Sequence, residues 1–111
     1  MKLDAYTVVF LRRPPNLVPL ADEDEAELQA QHVAFNRRTR TEGHSLFSGP
    51  FLENPDPLLR GMTVYRTSVE ETRRLVAEDP KVKAGRLAIE VFTWLVPEGT
   101  LGDRPAYTVD D

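Results

Sequence analysis

The chain contains no cysteine, which removes disulfides, thiolate zinc sites and cysteine nucleophiles from consideration. It has only two histidines, His32 and His44, and their separation fits no zinc-ligand spacing. No apolar run nears the roughly eighteen residues that a membrane span needs. In the opening MKLDAYTVVFLRRPP, Asp4 interrupts the apolar run too early for a secretory signal. Basic charge is also short: the net charge is −4, whereas a general nucleic-acid binder carries a basic surplus. The glycines are too scattered for a phosphate-cradling loop, and HSLFSGPF lacks the Gly-x-Ser-x-Gly of a nucleophile elbow. The expectation is a cytoplasmic protein with no metal, no cofactor, no membrane contact and no nucleic-acid partner.

What is present is ordinary for one small globular domain: 111 residues, 41% hydrophobic and 29% charged. The most informative stretch is SVEETRRLVAEDPKVKAGRLAIEVFTWLV, Ser68 to Val96. Ser68 with Glu71 three residues later is a capping box that opens a helix. Asp79-Pro80 stops that helix, because proline disfavours helical geometry at the residue before it. At 100° per residue, Val69, Thr72, Leu75, Val76 and Asp79 share about a third of the circumference. Asp79 is thus the one acid on the apolar stripe. It sits at a C-terminal end, where the helix dipole disfavours a carboxylate by roughly 0.3–1 kcal/mol. Either Asp79 opens a type I turn with Pro80, or it is an inward carboxylate that needs a partner.

The partner is on an earlier helix. Tyr6 to Arg12 is a strand, rich in β-branched and aromatic residues. A loop of prolines follows, and Asp22 starts a helix that Gly43 stops. That helix is acidic in its first turns and basic in its last (Arg37, Arg38, Arg40), which complements its dipole, so the NRRTR run reads as a solvated face. Its inward stripe is narrow, with Leu28, His32, Phe35 and Thr39 within about 60° of one another. His32 is either a hydrogen-bonded core residue or a catalyst. Ser45 to Pro50 is a second strand, Asn54 to Gly61 a loop, Met62 to Thr67 a third strand. A turn ending at Gly85 leads into a fourth strand, Arg86 to Val96.

The order β-α-β-β-α-β predicts a ferredoxin-like α+β protomer with two helices on one face of a four-stranded antiparallel sheet. Both faces of the last strand are apolar, and two helices cover only one. The other face predicts a homodimer, sheet against sheet. Residues 1–98 form the domain. Residues 99–111 form a tail that covers a sheet edge or packs on the dimer partner.

Gln31-His32-Val33, Ser48-Gly49-Pro50, Ser68-Val69-Glu70-Glu71, Glu78-Asp79-Pro80 and Lys83-Ala84-Gly85, in this order and spacing, resemble the YCII-related family over roughly residues 5 to 98. That resemblance implies a dimeric α+β barrel and an active site built on a His–Asp pair, here His32 and Asp79. It also implies a small-Gly-Pro turn beside the pocket, here Ser48, Gly49 and Pro50. The family includes a dehydrochlorinase of a chlorinated hydroxyquinol, so the implied chemistry is elimination or isomerisation on a small cyclic metabolite, a lyase or isomerase reaction. His32 would be the general acid or base and Asp79 would orient it, with Ser48 and Arg12 as candidate substrate-binding groups. The alternative is a non-catalytic ligand-binding or structural dimer module in which the pair only braces the helices.

Overall fold

A computed structural model describes residues 1–110. The chain runs β1 (Lys2–Arg12), α1 (Asp22–Thr41), β2 (Ser45–Pro50), β3 (Leu59–Tyr65), α2 (Val69–Val76), α3 (Pro80–Lys83), β4 (Ala88–Pro97) and β5 (Tyr107–Asp110). All strand pairings are antiparallel, in the order β2-β3-β1-β4. The α+β ferredoxin-like plan is therefore present, with a fifth strand and a third helix added to it. Among the described residues, no helix is long and apolar enough to cross a membrane.

The alternation of β1 organises the core. Its odd residues Val9 and Leu11 face the helices and pack with Tyr65, Val76 and Leu87. Its even residues Tyr6 and Val8 face the other way and pack with Val64 and Val96. On that outer face Phe92 pairs with Val8 and Trp94 with Tyr6, yet Phe92 is 51% and Trp94 42% exposed. Phe47, opposite Val64, is 48% exposed as well. Two helices cannot cover both sides of a sheet, and these aromatics are what remains uncovered.

Element boundaries differ from the sequence-based expectation, and two of the differences have a local reason that bears on the site. The third strand begins at Leu59 rather than Met62, and it includes Gly61. Glycine usually weakens a strand. Here it is required, because a Cβ on Gly61 would lie 2.6 Å from the carbonyl oxygen of Gly49 on β2. The turn expected after Asp79 is a short helix, α3, with Pro80 in its first turn and Asp79 as its N-cap. Asp79 therefore stands at a helix start, where a carboxylate is favoured, and not under the unfavourable dipole that the sequence suggests.

The tail contains β5, which pairs with Lys2–Ala5 of β1. On that edge β3 pairs with β1 only from Thr7 onward, so β5 continues the lane where β3 ends. Asp4 holds it there. Its carboxylate is 2% exposed and accepts from the Gly99 backbone N–H at 2.8 Å and the Thr108 hydroxyl at 2.9 Å. The residue that interrupts the apolar run at the N-terminus is the one that ties down the C-terminal segment.

Candidate active site

His32 lies on the border between two stripes of α1. Leu28, Phe35 and Thr39 fall within about 60° on one side of it and turn inward. Glu25, Gln29, Val33, Asn36 and Arg40 fall within about 100° on the other side, and all five line a cleft between α1 and the sheet. The imidazole can thus touch the buried interior with one nitrogen and the cleft with the other. The residue is 9% exposed.

On the interior side, His32 Nδ1 is 2.7 Å from Asp79 Oδ2. An ionised carboxylate only accepts, so Nδ1 carries the proton. The second oxygen, Oδ1, accepts the Lys81 backbone N–H at 2.9 Å. Asp79 is 1% exposed, and this pair of contacts fixes its carboxylate from both sides. The two readings of Asp79 are therefore compatible: one oxygen caps α3 and the other holds the imidazole. Helix α1 reaches the pair by lying against α3, not by packing broadly on α2. Behind the pair stands Tyr65, whose phenol is pushed up to about 12 chiefly by burial, with the Asp79 charge adding to it. Tyr65 stays neutral, so it adds no second charge to the interior.

On the cleft side, the amide nitrogen of Asn36 lies 3.3 Å from His32 Nε2. With Nδ1 protonated, a neutral ring presents Nε2 as an acceptor toward that amide, which is the tautomer with a base on the open side. The cleft has a volume of about 390 Å³, in the range of small-ligand pockets. Ser48, Gly49 and Pro50 line its β2 wall, with Gly61 beside them.

Arg12 is not brought there. Its side chain lies on the outer face of the sheet, held by Asp56 at 2.7 Å and by Glu90. β1 alternation explains this: Arg12 shares parity with Val8 and Phe10, while Arg13 shares parity with Val9 and Leu11. It is Arg13 that lines the cleft, and extending the strand pattern by one residue identifies it. The arginines of NRRTR are exposed, as the solvated-face reading has it, but they divide: Arg38 stacks over the Phe35 ring at 5.4 Å, whereas Arg37 and Arg40 line the cleft.

With Arg60, Lys81 and Arg86, these make six cations around one carboxylate, Glu25. Lys81 is lowered mainly by burial, and also by repulsion from Arg60 and Arg13, against the pull of Glu25 and Asp79. Among the described residues no group of three or more His, Asp or Glu is placed to hold a metal ion.

A structural comparison finds the same fold in the 5-chloro-2-hydroxyhydroquinone dehydrochlorinase of Burkholderia phenoliruptrix AC1100, solved in complex with 2,5-dihydroxybenzoquinone. The two share 19% identity at a TM-score of 0.61, over 88% of this chain and 99% of that one. No curated protein matches the chain. The pattern that defines the YCII-related domain matches residues 5–95. With that match over most of its length, the chain belongs to the YCII-related domain family.

Proposed function

We propose that this protein is a cytoplasmic small-molecule enzyme that uses His32 as general acid–base and Asp79 to orient it. The reaction class is elimination or isomerisation on a small cyclic metabolite bound in the cleft beside Ser48, Gly49 and Pro50. The observation that carries this reading is the split environment of one imidazole: Nδ1 is 2.7 Å from a buried carboxylate, and Nε2 faces the cleft side.

In the forward step, Nε2 takes a proton from a ring carbon activated by a neighbouring carbonyl or hydroxyl. The electron pair left behind expels a leaving group as an anion, or the proton returns at another ring position. The imidazolium formed is stabilised by Asp79 through Nδ1–H. No redox partner is required to balance either outcome. The fold shared with a dehydrochlorinase supports the elimination variant. The exposed aromatics Phe47, Phe92 and Trp94 are the surface on which a second copy would pack, sheet to sheet.

The bracing alternative has an observation in its favour, since His32 is nearly buried and joins α1 to the start of α3. Turnover separates the two readings. Chlorinated hydroquinones and cyclic enol acids are incubated with the wild type and with His32→Asn, and halide release or isomer formation is followed. Enzyme function predicts turnover by the wild type and a loss of about 10²- to 10⁴-fold in the variant. A variant that loses several kcal/mol of stability, as breaking a buried charged pair does (about 3–5 kcal/mol), while no ring compound is turned over by the wild type, would establish the bracing role.

A further inference from the structure

The cleft has a charge opposite to that of the protein around it. The whole chain is net −4, yet six cations and a single carboxylate line this one hollow. They come from separate parts of the chain: Arg13 from the end of β1, Arg37 and Arg40 from α1, Arg60 from β3, Lys81 from α3, and Arg86 from the segment before β4. Most are not neutralised within the protein. Arg86 is paired with Glu25 at 3.2 Å. Among the described residues Lys81 donates to the neutral amide oxygen of Gln29 and Arg60 to the carbonyl of Pro57, neither within an ion pair, although Glu25 and Asp79 attract Lys81 from a distance. Arg13, Arg37 and Arg40 form no ion pair among the described residues.

The Arg86 side chain is 11% exposed and its pairing with Glu25 occupies the one carboxylate of the cleft, so that carboxylate is not free to neutralise the other cations. Converging like charges repel one another, which is visible in the lowering of Lys81 by Arg60 and Arg13. Such an arrangement is unfavourable in an empty cleft and favourable around a multiply charged anion.

We infer that the cleft selects a small ring compound carrying at least two negative charges, with carboxylate, phosphate or ring oxyanion groups gripped from the sheet side by Arg13 and Arg60 and from α1 by Arg37 and Arg40. The inference rests on the reading that the cleft beside His32 is the substrate site, and it names the substrate class. A volume of about 390 Å³ is sufficient for one substituted ring. Guanidinium groups on facing walls suit two separated planar oxyanions, each taken in bidentate fashion.

The test is calorimetric binding at low ionic strength to a series on one ring: phenol, benzoate, isophthalate and trimesate. A site for dianions predicts that isophthalate binds at least about tenfold more tightly than benzoate, and that the gain shrinks with salt. Arg37→Gln and Arg60→Gln, both at exposed positions, are each expected to weaken isophthalate by about three- to tenfold. Arg73→Gln on α2 removes the same charge outside the cleft and should leave binding within about twofold. The inference is overturned if the second carboxylate adds no affinity, or if Arg73→Gln costs as much as the cleft variants. It stands on its own if isophthalate binds as expected while no His32-dependent turnover is found, in which case the acid–base reading alone falls. Conversely, His32-dependent turnover of neutral rings without any preference for charge overturns the dianion inference alone.

Discussion

Replacing Asp79 by Asn tests the dyad more sharply than removing the histidine does. Asparagine has nearly the same shape, and its carbonyl oxygen can still accept the Lys81 N–H that Asp79 now takes at 2.9 Å. Its NH₂ group then points at His32 Nδ1, where the carboxylate sits at 2.7 Å. Two donors cannot face each other, so the imidazole must move its proton to Nε2 and present Nδ1 as an acceptor. The base on the cleft side is lost, and the new Nε2–H opposes the Asn36 amide nitrogen now 3.3 Å away. The stability cost is that of one charge-assisted hydrogen bond, roughly 1.5–3 kcal/mol. For a domain of this size that is a fall of about 4 °C or more in Tm per kcal/mol. Long-range ¹H–¹⁵N correlation spectra distinguish a protonated ring nitrogen from a bare one. The wild type should show Nδ1 protonated and Nε2 bare, and Asp79→Asn the reverse, with activity falling with the tautomer. A wild-type spectrum with the proton on Nε2, or an Asp79→Asn protein with an unchanged tautomer, would refute the reasoning.

Other expectations follow from contacts away from the dyad. Asp4→Ala removes the buried carboxylate that accepts from the Gly99 N–H and the Thr108 hydroxyl, so it should cost about 1.5–3 kcal/mol, as for hydrogen bonds to a charged group, and make residues 99–110 the first site of limited proteolysis. Gly61→Ala places a methyl 2.6 Å from the Gly49 oxygen, forcing β2 and β3 apart at a cost of about 1–3 kcal/mol, read by denaturant unfolding. Asp56 is held below its usual 3.8 first by the Arg12 hydrogen bond and then by the Leu58 backbone N–H. A lowered carboxylate contributes stability that is complete above the unfolded value and lost as pH falls through the folded one. The loop over residues 54–58 should therefore stay ordered at pH 4 and loosen only in stronger acid, as amide exchange at Leu58 would report. Charging the outer face with Phe92→Asp and Trp94→Asp should convert a sedimenting dimer into a single subunit. A wild type that already sediments as one subunit at micromolar concentration contradicts the sheet-to-sheet assembly.

The contact between His32 and Asp79 was legible because both residues break a pattern. His32 is the one titratable residue on the narrow inward stripe of α1, and Asp79 the one acid on the stripe of the following helix. What could not be read was that Asp79 does two jobs, since α3 is only four residues long and leaves no periodic signal. The cation wall was missed for a different reason. Arg37 and Arg40 occur in a run whose charge is adequately explained by the helix dipole, and only the packing of α1 on the sheet separates them from Arg38. Arg13 was within reach of strand parity, but Pro14 made it look like the start of a loop. Arg60, Lys81 and Arg86 are far apart in sequence and meet only in the folded chain. β5 escaped because it is four residues long and depends on Asp4, more than ninety positions away.

The decisive measurement is a crystal structure with isophthalate bound. The ring should lie in the cleft, with a carboxylate against arginines from both walls and a ring edge or oxygen within about 3.2 Å of His32 Nε2. Isophthalate bound elsewhere, with Nε2 still engaged only by Asn36, would contradict the cleft as the substrate site.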